Sequence, residues 1–151
     1  HETIGKRIYV NGIIKEFNLY YYHIIILSEY RGDTIKVSII LTSYNRPQLI
    51  KEAFNSILGQ TYTNWELFIV DDNSNLETRA VVKQLSNSDP RCTLIQSEVA
   101  DEERHKTARY ASCINLAIPR LTGEFVTYLT DDDLFYPKRL EVMVNHFIAN
   151  P

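Results

Sequence analysis

From Lys36 onward the chain alternates short apolar runs with stretches whose apolar residues recur every third or fourth position. Val37 to Leu41, Leu67 to Val70, Thr93 to Gln96 and Phe125 to Leu129 have the length and composition of strands covered on both faces. Between the first two, Leu49, Ile50, Ala53, Phe54, Ile57 and Leu58 keep helical spacing, with Pro47 where a helix can start and Gly59 as its C-cap. Ser74 and Glu77 read as a capping-box pair ahead of a helix carrying Ala80, Val81 and Leu85. A charged loop from Asp101 to Lys106 precedes a third helix through Ala111, Ile114 and Ala117, which Pro119 helps to stop. Leu140, Met143, Val144 and Phe147 form the stripe of a last helix. Strands alternating with helices imply crossover connections, so the expected fold is α/β with a mostly parallel, Rossmann-like sheet.

Residues 1–35 have a different texture. Ile8 to Val10 and Ile13-Ile14 flank Asn11-Gly12, a pair that favours a type I′ hairpin because both turn residues take positive φ. Tyr20 to Leu27 is a second strand-like run, and Arg31-Gly32-Asp33 punctuates the chain as a turn or short linker. Residues 1–35 are therefore expected to form a β-rich N-terminal extension or linker, and residues 36–151 the α/β unit.

Composition narrows the function. The chain has 151 residues, 44% hydrophobic and 23% charged, which suits one globular domain. Its 16 basic and 19 acidic side chains are interspersed, and no basic stripe tracks a phosphate backbone, so nucleic acid is excluded as the expected partner. Cys92 and Cys113 make neither a disulfide framework nor a zinc site, and read as buried free thiols of a reducing, cytoplasmic compartment. The longest apolar run, Leu19 to Leu27, falls well short of the roughly 20 residues of a spanning helix, and no signal-peptide pattern appears. A chain that starts at His1 and stops at Pro151 after a helix is expected to be a piece of a longer one.

In parallel sheets ligands collect beyond the carboxyl ends of the strands. Those positions hold Thr42-Ser43-Tyr44-Asn45, then Asp71-Asp72, then Thr130 with Asp131, Asp132 and Asp133. No glycine-rich phosphate cradle or Walker lysine occurs, so a polyphosphate here needs another source of positive charge. Clustered carboxylates acting through Mg²⁺ or Mn²⁺ supply one. An acidic turn that caps the following helix is the plain alternative. Three adjacent carboxylates beside an apolar strand, with Asp71-Asp72 on the same edge, favour the metal.

Four ordered blocks then resemble the family 2 inverting glycosyltransferases of the GT-A fold. They are Thr42-Ser43-Tyr44-Asn45-Arg46-Pro47, Gly59-Gln60-Thr61-Tyr62 through Trp65-Glu66 into Phe68-Ile69-Val70-Asp71-Asp72-Asn73-Ser74, Lys106-Thr107-Ala108-Arg109-Tyr110-Ala111 with Ile114-Asn115, and Thr130-Asp131-Asp132-Asp133. The third is especially similar to the bacterial spore-coat polysaccharide glycosyltransferase of that family, and the resemblance runs from about Lys36 to Pro151.

The resemblance implies that residues 36–151 are the nucleotide-sugar-binding portion of a GT-A domain, without its acceptor-binding part. Tyr44 would stack on a uracil or thymine ring with Thr42 at the mouth of the pocket, and Asp72, or Asp71 beside it, would accept the ring N–H. Arg109 would reach the base or diphosphate, with Arg46 adding charge nearby. Asp131 would meet the ribose and Asp132 the metal, with Asp133 sharing either role. The implied reaction moves a sugar from a UDP- or dTDP-sugar to a hydroxyl of a carbohydrate or other acceptor with inversion. The general base is expected beyond Pro151. Two other classes remain: a non-catalytic nucleotide-binding module, and a Mg²⁺-dependent phosphotransfer or receiver-type domain, for which no phosphorylatable aspartate paired with a later lysine is evident.

Overall fold

A computed structural model describes residues 6–10, 13–17, 24–26 and 35–150. Strands β1 (Lys6–Val10) and β2 (Ile13–Phe17) pair antiparallel, Val10 opposite Ile13. Asn11-Gly12, most of the Tyr20–Leu27 run and Arg31-Gly32-Asp33 lie outside the described residues. Strand β3 (Ile24–Ile26) joins the edge of the main sheet.

The α/β alternation is present as expected. Strand β4 (Val37–Ser43) leads to α1 (Leu49–Leu58), β5 (Trp65–Asp71), α2 (Leu76–Ser88) and β6 (Cys92–Gln96). A 3₁₀ helix (Asp101–Lys106), α3 (Arg109–Ala117), β7 (Phe125–Thr130) and α4 (Arg139–Ala149) follow. The sheet order is β3-β7-β4-β5-β6, with β7, β4, β5 and β6 mutually parallel and only β3 antiparallel.

Both faces of the sheet are covered, which explains the near-continuous apolar strands. Val37, Ile39 and Leu41 pack with Ile50, Phe54, Ile57, Val82, Leu140 and Val144 on the face covered by α1, α2 and α4. Ile40 points the other way, toward Phe68, Val70, Cys113 and Ala117 under α3. The strands outrun their apolar cores. Thr42 pairs in register with Thr130, and Ser43 with Asp71, because a parallel ladder joins backbones whatever the side chain. Chain order runs outward from β4 to β6 and then returns to β4's other side at β7. That reversal opens a crevice between the carboxyl ends of β4 and β7, the usual ligand position in such sheets.

Two local expectations change. Asn75, not Ser74, caps α2, its side chain accepting from Thr78 N–H at 2.9 Å. The loop from Asp101 to Lys106 winds into a 3₁₀ helix, its acids in the first turn and its bases in the last, in line with the backbone dipole.

Candidate functional site

The crevice is a cleft of about 300 Å³. Thr42, Ser43 and Tyr44 come from the end of β4, Asp72 from the end of β5, and Thr130, Asp131 and Asp132 from the end of β7. Arg46 enters from the β4–α1 loop, Arg104 from the 3₁₀ helix, and Arg109, Tyr110 and Cys113 from α3.

The loops that carry these side chains are laced together. Asn45 and Asn73 both take left-handed backbone, φ 54° and 59°, a conformation Asn tolerates better than most residues. Asn45 N–H donates to Ser74 Oγ at 3.1 Å, and Asn75 N–H donates to Asn45 Oδ1 at 2.7 Å. Asp72 N–H donates to Ser43 O at 2.9 Å, and Asn73 Nδ2 donates to Val99 O at 2.7 Å. Ser74, expected as a cap, is instead a bolt between two loops.

The two adjacent aspartates at the end of β5 turn to different surroundings. Asp71 is fully buried and does not line the cleft; its Oδ2 accepts from Ser74 N–H at 3.4 Å and lies 3.9 Å from Arg79 Nε. Asp72 faces the cleft and holds two arginines. Arg109 donates from Nη2 to Oδ1 at 2.5 Å and from Nε to Oδ2 at 3.1 Å, while Arg104 donates from Nη2 to Oδ2 at 2.7 Å. Arg104 Nη1 also donates to the Asp72 carbonyl at 2.7 Å. Burial pushes the Asp72 pKa up, but the Arg109 hydrogen bonds and the two guanidinium charges outweigh it, and the net shift is downward. Burial beside this carboxylate pushes the Cys113 thiol up to about 12, and burial does the same to Cys92. Both thiols are free.

The three consecutive aspartates part company. Asp131 is nearly buried; its Oδ2 accepts from Tyr44 N–H at 3.0 Å and its Oδ1 from Arg46 Nη1 at 3.2 Å. Burial raises its pKa despite these bonds. Asp132 is half exposed and accepts from Arg46 Nη1 at 2.6 Å. Asp133 accepts from Thr130 Oγ1 at 3.1 Å and lines a neighbouring apolar groove with Leu134 and Tyr136, not the cleft.

No group of three or more acidic, histidine or cysteine side chains converges as a metal-ligand set among the described residues. The donor set nevertheless fits a hard divalent cation. Asp131 and Asp132 already share one cation, the Arg46 guanidinium, and Mg²⁺-type sites commonly take one or two carboxylates and complete their shell with phosphate and water.

Arg104 is the residue that sequence reading missed. Its guanidinium lies 3.5 Å above the Tyr44 ring while it pairs with Asp72. Within a run of three acids followed by three bases no local signal marks it; only its partner 32 positions away does.

Residues 38–151 match the sequence model described as Glycosyl transferase family 2. The chain belongs to that family. It is 48% identical over 116 residues to Protein CgeD of Bacillus subtilis (strain 168), covering 77% of this chain and 27% of CgeD. Its fold is similar to S. aureus TarS 1–349 in complex with UDP-GlcNAc, with a TM-score of 0.63 and 26% identity over 76% of this chain and 32% of that one. It is also similar to the mannosyltransferase PcManGT from Pyrobaculum calidifontis in complex with GDP-Man and Mn²⁺, with a TM-score of 0.61 and 26% identity over 80% of this chain and 34% of that one. The fold is thus of the GT-A, Rossmann-like type expected from the sequence. The chain spans only about a quarter to a third of the length of these relatives. Among the described residues no helix is long and apolar enough to cross a membrane.

Proposed function

We propose that this chain is the donor-binding part of a metal-assisted inverting glycosyltransferase that takes a UDP- or dTDP-sugar. The observation that carries the reading is the cleft at the β4/β7 reversal, which an aromatic ring, a fixed carboxylate and a cation-bridged carboxylate pair line together. Tyr44 offers a face for the base, and Asp72, ionised and oriented by two arginines, offers acceptor oxygens for a ring N–H. Asp131 lies beside Tyr44, where a ribose would follow the base, and Asp132 reaches outward to the diphosphate.

Asp132, half exposed and with Asp131 beside it, would hold the divalent cation, which offsets charge on the departing diphosphate when bound. Arg46 places a guanidinium beside Asp131 and Asp132, where the nucleotide's negative charge would collect, while Arg104 and Arg109 hold Asp72 at the base end. TarS, with UDP-GlcNAc, supports a pyrimidine donor, and PcManGT, with Mn²⁺, supports the metal. Asp133, turned into the apolar groove, is left as support for the turn. Residues 1–35 are read as an extension, and the acceptor site and its general base as belonging to polypeptide outside this chain. Two free cysteines, both protonated at neutral pH, fit a reducing cytoplasmic setting.

Calorimetry with UDP, dTDP and GDP, each with and without Mn²⁺, tests the reading. Metal-dependent binding of UDP or dTDP, tighter than GDP, is expected. Absence of metal-dependent binding to all three would overturn it.

A further inference from the structure

The cleft balances its own charge. Three aspartates, 72, 131 and 132, face three arginines, 46, 104 and 109. Two of the arginines are committed to Asp72, and Arg46 alone serves the other two carboxylates, at 3.2 and 2.6 Å. Among the described residues the Arg46 guanidinium has no other hydrogen-bond or ion-pair partner.

A divalent cation and this guanidinium want the same oxygens. Asp131 is only 7% exposed and its Oδ2 accepts from Tyr44 N–H, so it is the more firmly held of the two carboxylates. Asp132 and Arg46 are 50% and 48% exposed and are free to re-aim. A cation arriving alone would push Arg46 off its carboxylates and leave two positive groups side by side. A diphosphate changes that balance, because a guanidinium transfers readily from carboxylate to phosphate oxygens. Only the side chain has to move. Left-handed Asn45 on one side and the fixed φ of Pro47 on the other hold the backbone.

We propose that Arg46 is an exchangeable counter-ion that couples divalent-cation binding to nucleotide binding. It holds Asp131 and Asp132 in the ligand-free cleft and moves onto the diphosphate as the cation takes its place. The proposal rests on the reading of the cleft as a nucleoside-diphosphate site. By thermodynamic reciprocity, each ligand then raises the affinity for the other by the same factor.

The test titrates Mn²⁺ into the chain with and without UDP, reading free Mn²⁺ by electron paramagnetic resonance. Wild type, R46Q, R46K and D132N are compared, with melting curves to show that each is folded. Wild type is expected to bind Mn²⁺ weakly alone and more tightly with UDP, by a factor in the ordinary coupling range of roughly 5- to 150-fold. R46Q is expected to bind Mn²⁺ alone roughly tenfold tighter, with the enhancement by UDP reduced to the part that direct ligation of the cation by the diphosphate supplies. R46K, which keeps the charge, is expected to stay nearer wild type. The proposal is overturned if R46Q binds Mn²⁺ alone no tighter than wild type, or if UDP enhances its binding undiminished. D132N separates the two levels of the argument. If it binds Mn²⁺ with UDP as wild type does, the donor-site reading fails and takes the proposal with it. If it loses that binding while R46Q behaves as wild type, only the counter-ion role falls.

Discussion

Asp72 carries the most concentrated charge pairing in the cleft, and Asp72→Asn is the substitution that weighs it. The carboxylate side chain is 5% exposed and its two arginine partners 16% and 20%. Asparagine keeps the shape but removes the charge and turns an amide N–H₂ toward donors. Two guanidinium groups, poorly reached by water, then lose their shared anion. Breaking a buried pair by removing one partner costs about 3–5 kcal/mol. The residual exposure of the arginines lets water recover part of that, which puts the expected loss near the lower figure, about 3 kcal/mol. For a domain of this size that is a fall in Tm of roughly 10 °C. Urea unfolding followed through Trp65, the single tryptophan and 2% exposed, reads it directly. The pH dependence adds a second constraint. Because the folded pKa of Asp72 lies below its ordinary value, the pair's contribution is full above that ordinary value and is lost as pH falls through the folded one. The gap between wild type and D72N must therefore close in acid. A gap under about 0.5 kcal/mol at pH 7, within the range of a neutral surface change, would refute the assignment. So would a gap that persists unchanged in strong acid.

Two further predictions concern the opposite edge of the sheet. Glu66 accepts from Ser38 Oγ at 2.6 Å and from Thr122 N–H at 2.7 Å, and pairs with Lys36 Nζ at 2.7 Å. Burial alone would raise its pKa, but these partners bring it down to about 2. Glu66→Gln should therefore cost on the order of 2 kcal/mol at pH 7 in urea unfolding, and the difference should vanish as pH falls from the ordinary carboxylate range toward 2. At Gly123 an added Cβ would lie 2.6 Å from the Lys36 carbonyl oxygen and 2.7 Å from Ser38 N, both backbone atoms that cannot swing away. Gly123→Ala is expected to lose about 1–3 kcal/mol by thermal melting; an unchanged Tm would show that the strands slide apart freely there.

Periodicity revealed the elements because burial on both sheet faces leaves apolar residues no freedom of position. Topology then revealed the edge, since parallel strands carry their loops to one side. What periodicity could not resolve was orientation at single residues. Asp71 and Asp72 look alike in the sequence, yet the end of β5 buries one entirely and gives the other the cleft. Ser74 with Glu77 has capping-box spacing, but Asn75, one residue later, makes the cap because Ser74 is already engaged by Asn45. The aspartate triplet looked like one cluster, whereas the turn sends Asp133 into the neighbouring groove. Arg104 was illegible because its significance lies wholly in contacts with Asp72 and Tyr44, distant in the chain.

The lacing between the strand-end loops divides the cleft into a fixed half and an adjustable half. Asn45, Ser74 and Asn75 clasp two loops, and Asp72 N–H ties itself to Ser43, so the wall that would read the base is assembled before any ligand arrives. Little ordering entropy remains to be lost there on binding. At the Arg46–Asp132 end the facing groups are half-exposed side chains paired by charge. Substitutions can therefore accumulate at that end while the laced wall stays intact, which leaves the two halves of the cleft free to diverge separately.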